Sequence, residues 1–136
     1  MVIQRWQSVF LLLAAIFLGV SFFTPVAEVT IADKVMSVAA IDSMVSIVIG
    51  LVSTILTLLS IFLYKNIGQQ IKTTIIAMLL SVAYGASSYI IACNMEDTME
   101  YKYGGVYVAL AIVLQINAVL RMRSDERKLK SYDRIR

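Results

Sequence analysis

Three polar side chains stand inside otherwise apolar runs, Tyr84, Gln115 and Asn117, and they are the first places to look for chemistry. A phenol and two carboxamides can donate and accept hydrogen bonds, but near neutral pH they neither hold a formal charge nor move a proton readily. The chain has no histidine, the residue most used for acid–base work and metal binding at that pH. Its single cysteine, Cys93, allows no disulfide within the chain and reads by default as a small buried hydrophobe. No glycine-rich phosphate loop, metal-ligand cluster or nucleophile with an adjacent base is present in the sequence. No catalytic residue, metal or cofactor is therefore expected, and the chain does not read as an enzyme. The three polar residues read as structural. An unpaired amide in hydrocarbon costs about 2–7 kcal/mol, so Gln115 and Asn117 should point inward or toward a partner. The amino-terminal lean of a helical tyrosine suggests a hydrogen bond between Tyr84 and Gln115.

The elements that must position these residues follow from where charge is missing. Hydrophobic residues make up 60% of the 136 and charged residues 15%, against about 25% charged in ordinary globular domains. Mean hydropathy is +0.82. Four runs free of Asp, Glu, Lys and Arg, at 6–23, 43–64, 73–95 and 104–120, have the length at which a helix crosses roughly 30 Å of hydrocarbon. Lipid leaves no alternative to helix for isolated segments of this kind. The expected fold is all-α, an integral membrane bundle of four transmembrane helices over 1–120, with a basic tail over 121–136. Pro25 stops the first helix. The 24–42 connection, rich in valine and isoleucine around Asp33 and Lys34, reads equally as a short hairpin or as an amphipathic coil.

Charge also sets sidedness. Ten of the 12 basic residues and three acids, Asp125, Glu126 and Asp133, fall before the first run, between the second and third, and after the fourth, a net of +7. The other two connections hold Lys34 and Lys102 against six acids, a net of −4. The excess of basic residues places that side, with both termini, in the cytoplasm. Aromatic residues gather at the two levels where the runs end, Trp6 and Tyr64 on the basic side and Phe22, Phe23, Tyr89, Tyr101, Tyr103 and Tyr107 on the other. They read as interfacial anchors.

Small residues repeat at helical spacing in the second run (Ser46, Gly50, Ser53, Thr54, Thr57, Ser60) and the third (Ala77, Ser81, Gly85, Ser88, Ala92). Such faces let backbones approach closely in lipid, so these two helices are expected to pair antiparallel through them. The tail, RMRSDERKLKSYDRIR, places basic residues where anionic headgroups lie. Its mixed charges also suit a helix in which Glu126 meets Lys130.

The opening IQRWQSVFLLLAAIFLGVSFFTP, the loop FLYKNIGQQIK from Phe62 to Lys72, and the ending from Asp125 to Arg136 resemble a family of small membrane proteins found chiefly in Bacteroidota, domain of unknown function 4293. The resemblance covers both ends and the middle loop, and its recurring polar positions are Arg5, Lys65, Asn66, Gln70, Lys72, Asp125, Glu126, Ser131, Asp133, Arg134 and Arg136. It implies a four-helix protein of the bacterial inner membrane and no known activity. The expected role is an accessory or structural subunit. Its expected partners are anionic lipid headgroups at the cytoplasmic face and a protein, either a larger partner or a second copy; nucleic acid is not expected. The alternative is a small homo-oligomeric transporter or channel, although no run holds the carboxylate that ion-coupled carriers use.

Overall fold

The computed structural model describes residues 2–39, 42–94 and 98–135, with side chains from Trp6 onward except those of 98 and 99. Four helices dominate: α1 (Val2–Phe23), α2 (Met44–Phe62), α3 (Ile67–Asn94) and α4 (Gly104–Ile135). All four are long and apolar enough to cross a membrane. Only 28% to 39% of each span's apolar stretch is buried inside the molecule. A soluble bundle would leave far less oil outside, so the outward faces call for lipid as solvent.

Each helix packs on its neighbours in sequence and α1 closes the ring on α4. The core is stacked in layers. Leu11, Ile71, Ala118 and Met122 fill one end; Ala14, Leu18, Phe22, Tyr84, Val108 and Ala111 fill the next level. The start of α1, the end of α4 and the α2–α3 connection therefore lie at one end of the bundle. That connection is a single 3-10 turn, Leu63–Lys65, followed by Asn66 in an extended conformation. The Asn66 carbonyl accepts the Gln70 N–H at 2.9 Å and so opens α3.

The opposite end carries a three-stranded antiparallel sheet, an addition to the all-α expectation. Its strands are β1 (Ala27–Ile31), β2 (Lys34–Val38) and β3 (Thr98–Tyr101), in the order β2-β1-β3. The hairpin reading of the 24–42 connection is the one realised. Ala32 and Asp33 make its two-residue turn, with φ of 47° and 63°. Positive φ at both positions matches the right-handed twist of the flanking strands. Ala27 and Val29 face inward with Val38, onto Ala92 of α3, so the sheet caps the bundle. Val26 extends the pairing on both sides: its N–H bonds the Val38 carbonyl at 2.8 Å, and its carbonyl accepts from Lys102 at 2.9 Å.

Three boundaries differ by four residues or more from the charge-free runs, the first being that of α1, which begins at Val2 and not at Trp6. Helix α3 begins six residues before Thr73, and α4 continues without a break through the basic tail to Ile135. Charge ends a hydrophobic window, but it does not end a hydrogen-bond ladder, since Lys, Arg and Glu are good helix formers.

Candidate functional site

The small-residue stripes meet as expected. Ser46, Gly50, Ser53, Thr57 and Ser60 are buried on α2, and Ala77, Ser81, Ser88 and Ala92 on α3. Ser53 Oγ lies 2.7 Å from Ser81 Oγ and donates to the Ala77 carbonyl at 3.0 Å. Ser46 Oγ lies 2.9 Å from Ser87 Oγ. These hydroxyls are spent on helix–helix contacts, which makes packing their use. At Gly50 the α2 backbone comes so close to the Phe22 and Tyr84 rings that an added Cβ would sit 2.6 Å from Phe22 Cζ.

Tyr84 is fully buried, but its hydroxyl does not reach Gln115. It lies 3.1 Å from Ser21 Oγ of α1. Ser21 gives its one hydrogen to the Leu18 carbonyl at 2.6 Å, so Tyr84 is the donor to Ser21. The expected pair fails because depth separates the two residues: Tyr84 shares a layer with Val108 and Ala111, whereas Gln115 stands level with Thr57. Gln115, also fully buried, donates through Nε2 to Thr57 Oγ1 at 2.9 Å. Thr57 in turn donates to the Ser53 carbonyl at 2.8 Å. Two hydrogen bonds thus run across the diagonals of the bundle, α1 to α3 and α2 to α4.

Gln115 Oε1 finds no partner among the described residues. Leaving a buried acceptor unpaired costs about 1–3 kcal/mol, which offsets the roughly 0.6 kcal/mol of an average hydrogen bond between membrane helices. Gln115→Leu is therefore expected to leave stability unchanged or raise it by up to about 1 kcal/mol, since Thr57 keeps its bond to the Ser53 carbonyl. Thermal unfolding in mild detergent checks this; a clear loss of stability would mean that Oε1 is satisfied. Asn117, expected to face inward or toward a partner, is exposed on the bundle's outer surface, where its Nδ2 bonds the Val113 carbonyl at 2.9 Å.

At the end where α1 starts and α4 finishes, the recurring polar positions separate into two groups. Lys65, Asn66 and Lys72 are exposed, whereas Gln70 is 2% exposed and turned into the bundle, out of reach of any partner. The Arg5 side chain and Arg136 lie outside the described residues. Asp125 accepts a hydrogen bond from Gln7 Nε2 of α1, and the Arg121 guanidinium sits 5.5 Å over the Phe10 ring. These contacts brace α4 as it leaves the bundle. Beyond Met122, the last buried residue, the helix is free of the other elements' core. Glu126 and Lys130 form the expected i,i+4 pair at 2.9 Å. Ser131 caps the Lys128 carbonyl at 2.7 Å, while Asp133 and Arg134 are exposed. Spacings of four, three and four residues put Arg123, Arg127, Lys130 and Arg134 in one stripe along this overhang.

The sheet end holds a group that the sequence did not single out. Glu28 and Glu100 stand directly opposite each other on β1 and β3, an arrangement that repels. Lys102 lies between them, its Nζ 3.1 Å from Glu28 and 3.5 Å from Glu100. The Glu28 carboxylate beside it raises the pKa of the Lys102 ammonium above its ordinary value. Next to this triad the Tyr89 and Tyr101 rings stack with centroids 6.0 Å apart, their hydroxyls at 3.1 Å. The net negative charge of this connection was legible in the sequence; its pairing with a strand some seventy residues earlier was not. Of the aromatic residues expected as anchors, Trp6, Phe23, Tyr64, Tyr89, Tyr101 and Tyr103 are well exposed. Phe22 is a correction: it is 8% exposed and packs on Tyr84 at 5.3 Å. Tyr107 stacks on Phe17 at 6.1 Å.

No curated protein and no solved structure matches the chain. A family model does match, over residues 3–135, almost the whole length. The chain belongs to the family described as domain of unknown function DUF4293.

Proposed function

We propose that this is a multi-pass protein of the bacterial cytoplasmic membrane, with both termini in the cytoplasm, that serves as a small accessory subunit and uses the α4 overhang to dock a larger partner protein. The observation that carries this reading is the length of α4. At 1.5 Å per residue its 32 residues reach about 48 Å, against roughly 30 Å of hydrocarbon and 40–45 Å with both headgroup layers. With Gly104 at the outer hydrocarbon boundary, Arg121 and Arg123 stand about 26 and 29 Å along the helix, within snorkelling reach of the far headgroups. Arg127, at about 35 Å, stands among them and serves anionic lipid. Lys130 and Arg134, at about 39 and 45 Å, stand beyond the headgroups on a braced, continuous helix. A basic stripe held off the membrane suits an acidic protein surface. Asn117 supports a partner that also reaches into the membrane, because its Nδ2 bonds the Val113 carbonyl but lipid offers its outward Oδ1 nothing to bond. The role is one of binding, with no catalytic step assigned.

The test is affinity capture from gently solubilised membranes, using the full chain and the triple variant Arg127→Glu, Lys130→Glu, Arg134→Glu. One stoichiometric companion is expected with the first and at least tenfold less with the second, since each like-charge contact across an interface costs upward of 1 kcal/mol. Both forms should keep α4 helical, as the three residues are exposed and exchanging the Glu126–Lys130 pair for a like-charge one costs no more than about 1 kcal/mol. Equal recovery with both forms, or the protein alone across several mild detergents, would refute the docking role.

A further inference from the structure

A groove of about 540 Å³ opens between α3 and α4 beneath the sheet, of the size that holds a small-molecule ligand. Its walls are largely apolar, with Val82 and Ala86 from α3 and Ala109 and Ile112 from α4, and Tyr89, Tyr101 and Lys102 line it at the sheet end, taken as its mouth. A second groove, about 360 Å³ between α1 and α2, has only Thr54 as a polar lining residue and no charge at its mouth. Any acyl chain would fill the second equally well; the first adds groups that can read a headgroup. We propose that the α3–α4 groove is a binding site for one phospholipid whose headgroup carries both a phosphate and a primary ammonium, that is, a phosphatidylethanolamine.

Charge and donor chemistry carry this assignment, together with the helices standing in a bilayer. It does not depend on the α4 overhang. An acyl chain enters the apolar cleft, where it loses no hydrogen bond and keeps its contacts with the walls. The glycerol phosphate then lies at the mouth. There the Lys102 ammonium and the one hydroxyl hydrogen that the Tyr89–Tyr101 pair leaves free can donate to its oxygens. Lys102 is already shared by two carboxylates, so the triad as a whole carries one negative charge. A headgroup that is itself anionic would be repelled by Glu28 and Glu100. A headgroup that brings its own cation replaces what it takes from Lys102: its ammonium passes to Glu100, whose side chain is 78% exposed and free to turn. A primary ammonium has N–H donors for that carboxylate; a quaternary one has none. The site therefore ranks phosphoethanolamine above phosphocholine, and both above phosphoglycerol.

Native mass spectrometry of the full chain, released from detergent after titration with phosphatidylethanolamine, phosphatidylcholine or phosphatidylglycerol of identical acyl chains, reads this directly. One phosphatidylethanolamine per chain should be retained, with roughly tenfold weaker retention of the other two, the size of one charge-assisted hydrogen bond. Ala109→Phe, at an exposed position on the groove wall, should fill the cleft and abolish retention while the thermal transition stays unchanged. Glu100→Gln should keep binding but erase the preference for phosphatidylethanolamine over phosphatidylcholine. Equal retention of all three lipids, strongest retention of phosphatidylglycerol, no retained lipid, or undiminished binding by the Ala109→Phe protein would each overturn the proposal.

Discussion

Gly50→Leu should destabilise the bundle by about 3 kcal/mol, at or above the upper end of what overpacking a core costs. A Cβ at this position would already lie 2.6 and 2.9 Å from two carbons of the Phe22 ring and 2.9 Å from Tyr84 Cδ2. The two rings cannot step aside cheaply. Tyr84 is held by its hydrogen bond to Ser21, and Phe22 is wedged among Leu18, Tyr84 and the α2 backbone. Inserting a side chain would push α2 away from the α1–α3 diagonal and weaken the Ser53–Ser81 contact one turn further along. Gly19 and Gly68, which among the described residues have nothing within 4 Å of an added Cβ, supply the controls. Alanine at either helical position should be neutral or stabilise by up to about 1 kcal/mol through helix propensity. Unfolding in mixed detergent micelles measures all three; equal effects at positions 19 and 50 would show that α2 does not make the close approach described.

The second large effect is expected at Gly104, where the obstacle is backbone instead of side chain. A Cβ there would fall 2.7 Å from the carbonyl oxygens of both Thr24 and Pro25. The Gly104 N–H meanwhile bonds the Pro25 carbonyl at 3.0 Å. That bond, with Lys102 to Val26, fastens the first turn of α4 to the lead-in of β1. Alanine must break it or shift the 24–26 segment, and the expected loss is about 2 kcal/mol. The next residue is a built-in control, since Gly105 has open space around it and Gly105→Ala should cost nothing measurable. The loss at position 104 should also appear locally, as faster amide exchange in β1 and β3, because the cap opens before the bundle does. Matching behaviour of the two glycine variants would contradict this account of how the sheet is attached.

What could be read from the sequence was set by short-range physics. Ionised groups avoid hydrocarbon, so the four spans show as gaps in charge. The valine- and isoleucine-rich runs around Asp33 and Lys34 left a hairpin and a coil equally open, and Glu126 and Lys130 meet because helical spacing alone brings them together. The α2–α3 pairing was legible because a short connection makes two helices neighbours and both stripes lie on single faces. What was hidden depends on depth and on contacts remote in the chain. The partner of Tyr84 is decided by which α4 residues share its layer, and one helical turn of offset moves Gln115 out of reach. Strand β3 is four residues long, too short for its alternation to register, and exists because β1 offers it an edge. The continuity of α4 was masked by the change from apolar to basic residues, which alters the solvent around a helix without interrupting it.

Cysteine accessibility tests the central claim, that the sheet cap and the α4 overhang lie on opposite sides of a cytoplasmic membrane. On a Cys93→Ala background, which removes the single native thiol, exposed in the structure contrary to the expectation of burial, Ser37→Cys and Ser131→Cys place one exposed thiol in β2 and one on the overhang. A membrane-impermeant maleimide added to intact spheroplasts should label position 37 at once and position 131 only after the membrane is opened. Labelling of both positions in sealed spheroplasts, or of position 131 alone, would contradict the account.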